Sequence, residues 1–209
     1  MDNVINLLNY FDKVYCINLK KRPDRWLETQ AELNKYNICG VTRYEAIDSN
    51  ELHTPNHISP GAFGLIETFK KIIMDACENK YAKILILEAD IFFKPEISNL
   101  DEYMRLLPDD YSMFYLGGHH ICKPIYINDK IVLVNQMFTT HSIAIKQGLY
   151  DLILNDIHNL TEPIDVYFTK LQKQYKVYSF LPNLTGQRPS FSDIEGRDVD
   201  YTDGMDEYI

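Results

Sequence analysis

The chain has 209 residues, of which 45% are hydrophobic and 24% are charged, a composition typical of globular proteins. This length predicts a single domain over residues 1–209, with an acidic and mobile tail from about residue 195. The formal net charge of −9 at pH 7 argues against a nucleic-acid partner, because the phosphate backbone would be repelled. No segment has the roughly 18 consecutive apolar residues of a membrane span, and the polar first residues do not resemble a signal peptide.

The cysteines show neither the pattern of a zinc site nor that of a disulfide framework. They form no C-x-x-C pair, and their spacing is unlike that of small disulfide-rich scaffolds: Cys16, Cys39, Cys77 and Cys122. We therefore expect the protein to work in a reducing compartment, the cytoplasm.

The first predicted strand covers residues 13–19, which are β-branched or aromatic at their centre. Pro23 suits the first turn of a helix that runs to about residue 34. The connecting loop carries four basic residues: Lys20, Lys21, Arg22 and Arg25. A basic loop beside a helix N-terminus favours phosphate binding, although such a loop can also be an ordinary solvated turn.

The next three predicted elements are a short strand over 41–46, a polar loop over 47–59 and a long helix over 61–78. An unbroken apolar run from Ile84 to Leu87 then predicts a strand that is buried on both faces. This strand ends on two carboxylates, Glu88 and Asp90. Because ligands bind at the carboxyl ends of strands in open α/β sheets, the pair could hold a divalent cation. The alternative is a solvated strand end.

The second half of the chain continues to alternate strands and helices. Its predicted elements are a helix over 100–107, a strand over 112–116, a hairpin of 125–127 with 131–134, a strand over 139–145, helices over 147–154 and from 163, and a strand over 177–181. This alternation predicts an α/β fold with a mixed, mainly parallel central sheet flanked by helices.

Several polar or small residues in this half are candidate site residues. Gly117 and Gly118 would let the backbone approach a ligand closely, or would simply form a turn. His141 could be a third metal ligand, as could the two histidines after Gly118, although a lone histidine in a strand is more often a satisfied core residue. Asp193 could bind a metal or cap a turn. Asp165 lies in the first turn of a helix, where a carboxylate often only complements the helix dipole.

Five sequence blocks resemble, in the same order, the motifs of glycosyltransferase family 25, the lipooligosaccharide and collagen galactosyltransferase family. The blocks are residues 14–19 with Arg22, Asp24, Arg25 and Trp26; Gly61-Ala62-Phe63-Gly64; Leu87-Glu88-Ala89-Asp90; Pro163-Ile164-Asp165-Val166-Tyr167; and Gln187 to Ile194. They span the chain from about Lys13 to Ile194. The short chain resembles the compact virus-encoded members, which would work in the host cytoplasm.

This resemblance implies a GT-A type fold and a defined reaction. The protein would transfer a sugar, with inversion, from a nucleotide diphosphate donor, a UDP-sugar above all, to a glycan or other hydroxyl acceptor. A divalent cation, Mn²⁺ or Mg²⁺, would neutralise the leaving diphosphate.

The resemblance also suggests a role for each candidate residue. Arg22 and Arg25 would bind the diphosphate, with a bidentate geometry that lysine cannot copy. The other substrate-binding candidates are Asn18, Leu19, Gly61, Gly64, Gly117, Gly118, Gln187, Arg188 and Ser192. The metal-binding candidates are Glu88, Asp90, His141 and Asp193. Asp165 would be the base that accepts the proton of the acceptor hydroxyl. With an ordinary aspartate pKa of ~3.9, its side chain would already be ionised at neutral pH.

Two positions depart from the family's motifs. Ala89 stands where the family usually has the middle carboxylate of Glu-Asp-Asp, and Thr68-Phe69 stands in place of Ser-His on the long helix. These departures favour an alternative, a degenerate relative that binds a nucleotide sugar or a glycan without turnover. A third possibility, a doubly wound phosphatase, would act on simple phosphate esters without a sugar donor.

Overall fold

A computed structural model describes residues 4–49, 54–55 and 58–200 of the chain. Its α-helices are α1 (Pro23–Lys35), α2 (Pro60–Glu78), α3 (Leu100–Leu106), α4 (Tyr150–Ile157) and α5 (Ile164–Gln172). The central sheet contains β2 (Lys13–Leu19), β4 (Thr42–Ala46), β5 (Lys83–Glu88), β7 (Met113–Tyr115), β9 (Ile125–Tyr126), β10 (Ile131–Leu133), β12 (Ser142–Lys146) and β13 (Val177–Phe180). Two-stranded sheets pair β1 (Ile5–Asn6) with β3 (Ile38–Cys39), β6 (Ile91–Phe93) with β14 (Thr185–Gln187), β8 (His119–Cys122) with β11 (Gln136–Phe138), and β15 (Ser190–Ser192) with β16 (Arg197–Val199).

The central sheet has the strand order β4-β2-β5-β12-β7-β13-β10-β9. Strand β2 is parallel to both of its neighbours, β4 and β5, and β7 is parallel to β13. The other pairings are antiparallel, because β12 runs against both β5 and β7, and β10 runs against both β13 and β9. The predicted α/β class with a mixed central sheet flanked by helices is therefore confirmed. The sheet is not mainly parallel as predicted, because antiparallel pairings outnumber parallel ones among its described strands. Its parallel part is concentrated at the β4-β2-β5 end.

Strand β5 shows why this sheet is buried on both faces. Side chains alternate along a strand, so Ile84 and Ile86 pack on one face with apolar residues of α2, α4 and α5. Leu85 and Leu87 pack on the other face with residues of α1 and α3. All four side chains are fully buried, as the unbroken apolar run predicts. The turn that follows β5 therefore starts from a rigidly packed strand.

Other predicted elements match the structure with shifted ends. The predicted hairpin forms from β9 and β10, and the helix predicted over 147–154 starts as a 3-10 helix before α4. The tail predicted from about residue 195 is in part ordered, because β16 pairs with β15 and Val199 is buried. The rest of that tail, 201–209, lies outside the described residues, as do 1–3 and, in the predicted loop, 50–53 and 56–57.

The remaining sequence features can be stated briefly. All of the cysteines are free. None of the described helices has the length and apolar character needed to cross a membrane.

Candidate active site

A pocket opens at the carboxyl ends of β2, β4 and β5, where these strands meet the first turns of α2. Parallel strands end at the same edge of a sheet, so the loops that follow them converge there. The predicted site residues that line the pocket are Asn18, Leu19, Arg22, Arg25, Gly61, Gly64, Glu88, Asp90, Gln187, Ser192 and Asp193. The predicted residues that lie outside its lining are Gly117, Gly118, His141, Asp165 and Arg188.

Arg22 lies on the basic side of the pocket between two carboxylates. Its Nη1 donates a hydrogen bond to Asp193 Oδ2 at 2.8 Å, and its Nη2 donates to Asp24 Oδ2 at 2.8 Å. Asp24 is in the first turn of α1, as the Pro23 helix start predicts. Asp193 is in the closing hairpin, the name we give to residues 190–199, which form β15 and β16.

Arg25 holds the same hairpin from the first turn of α1. Its Nη2 donates to Ser190 Oγ at 3.0 Å and to the Phe191 carbonyl oxygen at 2.5 Å. Its Nη1 is 3.9 Å from Asp193 Oδ2 and 4.0 Å from Asp90 Oδ2. The Asp193 carboxylate thus lies near two arginines, where an anionic ligand would also be attracted. Among the described residues, it belongs to no group of three or more side chains arranged to bind a metal ion.

Glu88 and Asp90 form the acidic side of the pocket. Thr140 donates a hydrogen bond from Oγ1 to Glu88 Oε1 at 2.7 Å. Burial, helped by the negative charge of Asp90, raises the pKa of Glu88 from its ordinary value to about 8 despite that hydrogen bond. Burial also raises the pKa of Asp90, against the positive charges of Arg25 and Arg188. Two desolvated carboxylates side by side hold a proton or attract a cation.

A divalent cation fits this pair of carboxylates. Asp90 Oδ1 is buried and has no hydrogen-bond partner, although the residue lines the pocket. Among the described residues, no group of three or more His, Cys, Asp and Glu side chains is arranged to bind a metal ion. A cation here would therefore take its protein ligands from Asp90 and Glu88 and its other ligands from substrate or water, as Mg²⁺ commonly does.

The raised pKa of Glu88 predicts how stability depends on pH. The folded pKa of about 8 lies above the ordinary value of 4.5, so between these pH values the unfolded chain binds fewer protons. The free energy of unfolding should therefore fall as the pH rises through this window when divalent cations are removed. Glu88→Gln should lose this contribution. Urea unfolding of both proteins at pH 5.5 and pH 8 measures it, and equal pH slopes would contradict it.

Ala89 stands between the two carboxylates of the acidic motif, Glu88 and Asp90. Its side chain is 4% exposed and packs with the apolar cluster that contains Leu85 and Leu87. A carboxylate at this position would be buried among apolar groups. The two carboxylates on either side of it remain at the pocket, because side chains alternate at the end of the strand.

Arg188 fixes the turn that carries Asp90. Its guanidinium donates to the carbonyl oxygens of Ala89, at 2.7 Å, and Ile91, and its N–H donates to the Asp90 carbonyl oxygen at 2.8 Å. The side chain also pairs with Glu28 at 3.3 Å. Arg188 was predicted to bind substrate, but all of these contacts are to the protein itself. We therefore describe it as a positioning residue for the Asp90 turn.

Arg188→Met should lower the free energy of unfolding by roughly 1.5–3 kcal/mol, because buried carbonyl oxygens lose a charged donor. The matched control is Arg105→Met, since Arg105 is exposed on α3 and should tolerate the change. Urea unfolding of the two variants compares the effects. Equal stability of the two variants would show that the guanidinium does not hold the turn.

The predicted glycines serve close backbone packing. A Cβ on Gly61 would lie 2.5 Å from the Asp193 carbonyl oxygen, and one on Gly64 would lie 2.7 Å from the Ile47 carbonyl oxygen. These two glycines let α2 approach the closing hairpin and the loop after β4. At Gly117 and Gly118 a Cβ would instead collide with other parts of the protein, such as the backbone near Thr185.

Asn18 uses its side chain within the protein. Its Oδ1 accepts hydrogen bonds from the Arg43 guanidinium at 2.6 and 2.9 Å, and its Nδ2 donates to the Arg22 carbonyl oxygen at 3.0 Å. The residue thus shapes the basic loop. Sequence analysis missed the lining residues at the end of β4 and in the loop after it: Ala46, Ile47, Asp48 and Ser49. Their position after a strand parallel to β2 is the signal that could have identified them.

Asp165 lies near enough to Glu88 to affect its charge, but it does not line the pocket. Its negative charge contributes to the raised pKa of Glu88. Burial raises the pKa of Asp165 itself, against hydrogen bonds from backbone N–H groups, of which that of Val166 lies at 2.9 Å. The Thr139 N–H is another of these donors. The turn of Thr139 and Thr140 therefore connects Asp165 with Glu88, a link that sequence analysis did not anticipate.

His141 and His120 are interior residues. His141 is fully buried, its Nε2 is 3.2 Å from Thr185 Oγ1, and burial lowers its pKa to about 3. His120 is also buried, and burial lowers its pKa to about 4. The structure does not bring the His141 side chain to the acidic pair as a third ligand, because the ring points to β14.

Comparison with known proteins gives similarity only at the level of solved structures. No protein-family model and no curated protein sequence matches the chain. A glycosyltransferase involved in glycosylation of the major capsid of PBCV-1 is 12% identical, with a TM-score of 0.40 over 86% of this chain and 94% of that chain. A mutant of Drosophila beta-1,4-galactosyltransferase 7 in complex with manganese, UDP-Gal and xylobiose is 12% identical, with a TM-score of 0.44 over 97% and 84%.

A third similar structure is UDP-glucose pyrophosphorylase complexed with UDP-glucose. It is 9% identical, with a TM-score of 0.44 over 80% of this chain and 72% of that chain. Since each of these TM-scores lies below 0.5, we base the proposed function on the residues of the site.

Proposed function

We propose that the protein is a GT-A type glycosyltransferase. It transfers a sugar, with inversion, from a nucleotide diphosphate sugar to a glycan or another hydroxyl acceptor, with the help of Mn²⁺ or Mg²⁺. A UDP-sugar is the first donor to test. The observation that carries the proposal is one pocket in which two arginines face a pair of desolvated carboxylates at the ends of adjacent parallel strands.

The sequence blocks that resemble glycosyltransferase family 25 support this proposal. Four of the five contribute residues to the pocket, although they lie far apart in the chain. The fourth block in chain order contains Asp165, which lies near Glu88 and not in the pocket lining. Such convergence is expected of motifs that bind one ligand.

Each group of site residues has its own role in sugar transfer. Arg22 and Arg25 bind the diphosphate, because a guanidinium can hold phosphate oxygens in a bidentate manner. A cation held by Asp90 and Glu88 would supply further positive charge to stabilise the leaving diphosphate. Asp165 accepts the proton of the acceptor hydroxyl at its carboxylate, and burial makes it a stronger base than an exposed aspartate.

The alternative of a binding module without turnover has less support in the structure than in the sequence. Phe69 is fully buried and its ring packs against Phe168 at 5.7 Å between centroids. This position does not face the pocket, so the aromatic side chain removes no polar group from its lining. Ala89 likewise keeps the carboxylates on both sides in place.

A panel of UDP, UDP-galactose, UDP-glucose and GDP-mannose, each with Mn²⁺, Mg²⁺ or EDTA, tests the function. We expect a cation-dependent rise in melting temperature and slow release of nucleoside diphosphate from the cognate donor. If no nucleotide binds with either cation, the proposal is wrong. Binding without release, even with a range of glycan acceptors, would favour the binding module. Hydrolysis of p-nitrophenyl phosphate alone would favour a phosphatase.

Asp193→Asn should tighten binding of the nucleoside diphosphate by about two- to fivefold, the worth of a partly exposed ion pair. The neutral amide would no longer compete with phosphate for Arg22, which it contacts at 2.8 Å. If Asp193 were a metal ligand, the same change would weaken cation-dependent binding. Calorimetric titration of UDP with Mn²⁺ gives the sign, and Asp198→Asn, an exposed change in the same hairpin, is the control.

A further inference from the structure

Three buried polar atoms without partners come together at the acidic end of the pocket. They are the side-chain atoms Asp90 Oδ1, Arg25 Nε and Gln187 Oε1. All three residues line the pocket. Buried polar groups are rarely left without a hydrogen bond. Three such atoms beside one cavity therefore indicate where a bound ligand would form hydrogen bonds.

Gln187 is rigidly placed among them. It is 7% exposed, and β14 pairs with β6 in a register that sets Gln187 opposite Ile91, next to the Asp90 turn. Its Nε2 lies 3.5 Å from Asp90 Oδ2. The reverse orientation of the amide would set Oε1 against the carboxylate and is disfavoured by repulsion. The amide oxygen is therefore the atom left for a ligand.

A ligand that satisfies all three atoms must both donate and accept hydrogen bonds. Gln187 Oε1 and Asp90 Oδ1 are acceptors, and Arg25 Nε–H is a donor. An ionised diphosphate has no proton to donate to the amide oxygen. A cation could take Asp90, but it would leave the Gln187 acceptor to another group. A sugar hydroxyl can donate and accept at once.

The order of strands indicates which part of the donor lies here. Across the sheet, the end of β4 and the loop after it contribute the apolar Ala46 and Ile47 together with the polar Asp48 and Ser49. The β2 loop carries the arginines, and the β5 turn carries the carboxylates, with Gln187 beside it on β14. A nucleotide sugar has the same linear order of nucleoside, diphosphate and sugar. The sugar would then lie at the β5 turn, next to Asp165.

We infer that Gln187 is a specificity-determining residue whose Oε1 accepts a hydrogen bond from a hydroxyl of the transferred sugar. The inference rests on the proposed function and adds that Gln187 recognises the sugar part of the donor. Gln187 should therefore contribute to binding of the sugar nucleotide but not to binding of the nucleoside diphosphate.

Calorimetric titration of Gln187→Leu with Mn²⁺ tests this, with UDP, UDP-galactose and UDP-glucose as the probes. We expect affinity for the preferred UDP-sugar to fall roughly 3- to 10-fold, the worth of one neutral hydrogen bond, while affinity for UDP stays within about twofold. Gln30→Leu, an exposed change on α1, is the control. Derivatives of that UDP-sugar lacking one hydroxyl each should include one whose affinity is unchanged by Gln187→Leu.

The outcomes separate the inference from the proposed function. If wild-type protein binds none of the probes, the UDP-sugar donor is wrong. If it binds them and Gln187→Leu weakens UDP and UDP-sugar equally, or weakens neither, only the Gln187 inference is overturned. Should Gln187→Leu fail to fold, Gln187→Asn replaces it, because the shorter amide stays polar but withdraws the oxygen. The same selective loss is expected of it.

Discussion

Asp165→Asn should lower the rate of sugar transfer by roughly 10²- to 10⁴-fold, the usual contribution of a general base. The amide keeps the shape of the side chain and can still accept the Val166 N–H, but it cannot take the acceptor proton. Affinity for nucleotide and cation should change little, because Asp165 lies outside the pocket lining. Transfer rate, donor affinity and melting temperature measured on one variant test the three statements.

The structure offers a matched control for this change. Asp151 occupies the first turn of α4, as Asp165 occupies that of α5, but it is exposed and lies outside the pocket lining. Asp151→Asn should cost about 0.3–1 kcal/mol through the helix dipole and leave transfer unchanged. If Asp165→Asn folds and transfers sugar at the wild-type rate, Asp165 is not the base.

Asp90→Asn should weaken nucleotide binding in the presence of Mn²⁺ by roughly 10- to 1,000-fold. The charge lost is one that would hold the cation, and unit charges about 4 Å apart interact by roughly 4 kcal/mol at an effective dielectric constant of 20. In EDTA the sign should reverse, since removing a carboxylate beside Arg25 leaves less negative charge near the phosphates. Calorimetry with UDP under both conditions makes the comparison.

The opposite effects expected in Mn²⁺ and in EDTA distinguish the loss of a cation ligand from misfolding of the variant. A variant that is merely misfolded would lose affinity in both conditions. Asp129→Asn, which removes an exposed carboxylate at the β9–β10 hairpin, controls for net charge. Equal affinity of Asp90→Asn and wild type in Mn²⁺, with normal melting temperatures, would place any cation away from Asp90.

The sequence by itself determined the parts of the protein that depend on neighbouring residues. The apolar run of Ile84 to Leu87 predicted a strand buried on both faces, because only such a strand needs no polar side. Pro23 predicted the start of α1, since proline suits a first helical turn. The acidic pair followed because it ends that strand. The α/β class came from the alternation of these local patterns.

Only the tertiary structure decided which partner each polar side chain has. Asp193 and Arg22 are separated by 171 residues, and Arg188 and Ala89 by 99 residues, yet each pair is in hydrogen-bond contact. Local sequence patterns carry no record of such partners. In the sequence, an arginine therefore looks the same whether its side chain positions a backbone turn, as that of Arg188 does, or faces a pocket, as that of Arg25 does.

The burial of individual side chains was also decided by the tertiary structure. His141 precedes β12 and Ala89 follows β5, two strands of the same sheet. The sequence could not show that the His141 ring turns into the interior while the Ala89 methyl group packs in the core. The raised pKa of Asp165 has the same origin, because it depends on atoms from distant segments that exclude water. The sequence thus determined which groups lie at the edge of the sheet. The packing of distant segments decided their partners, their charge states and which of them face the pocket.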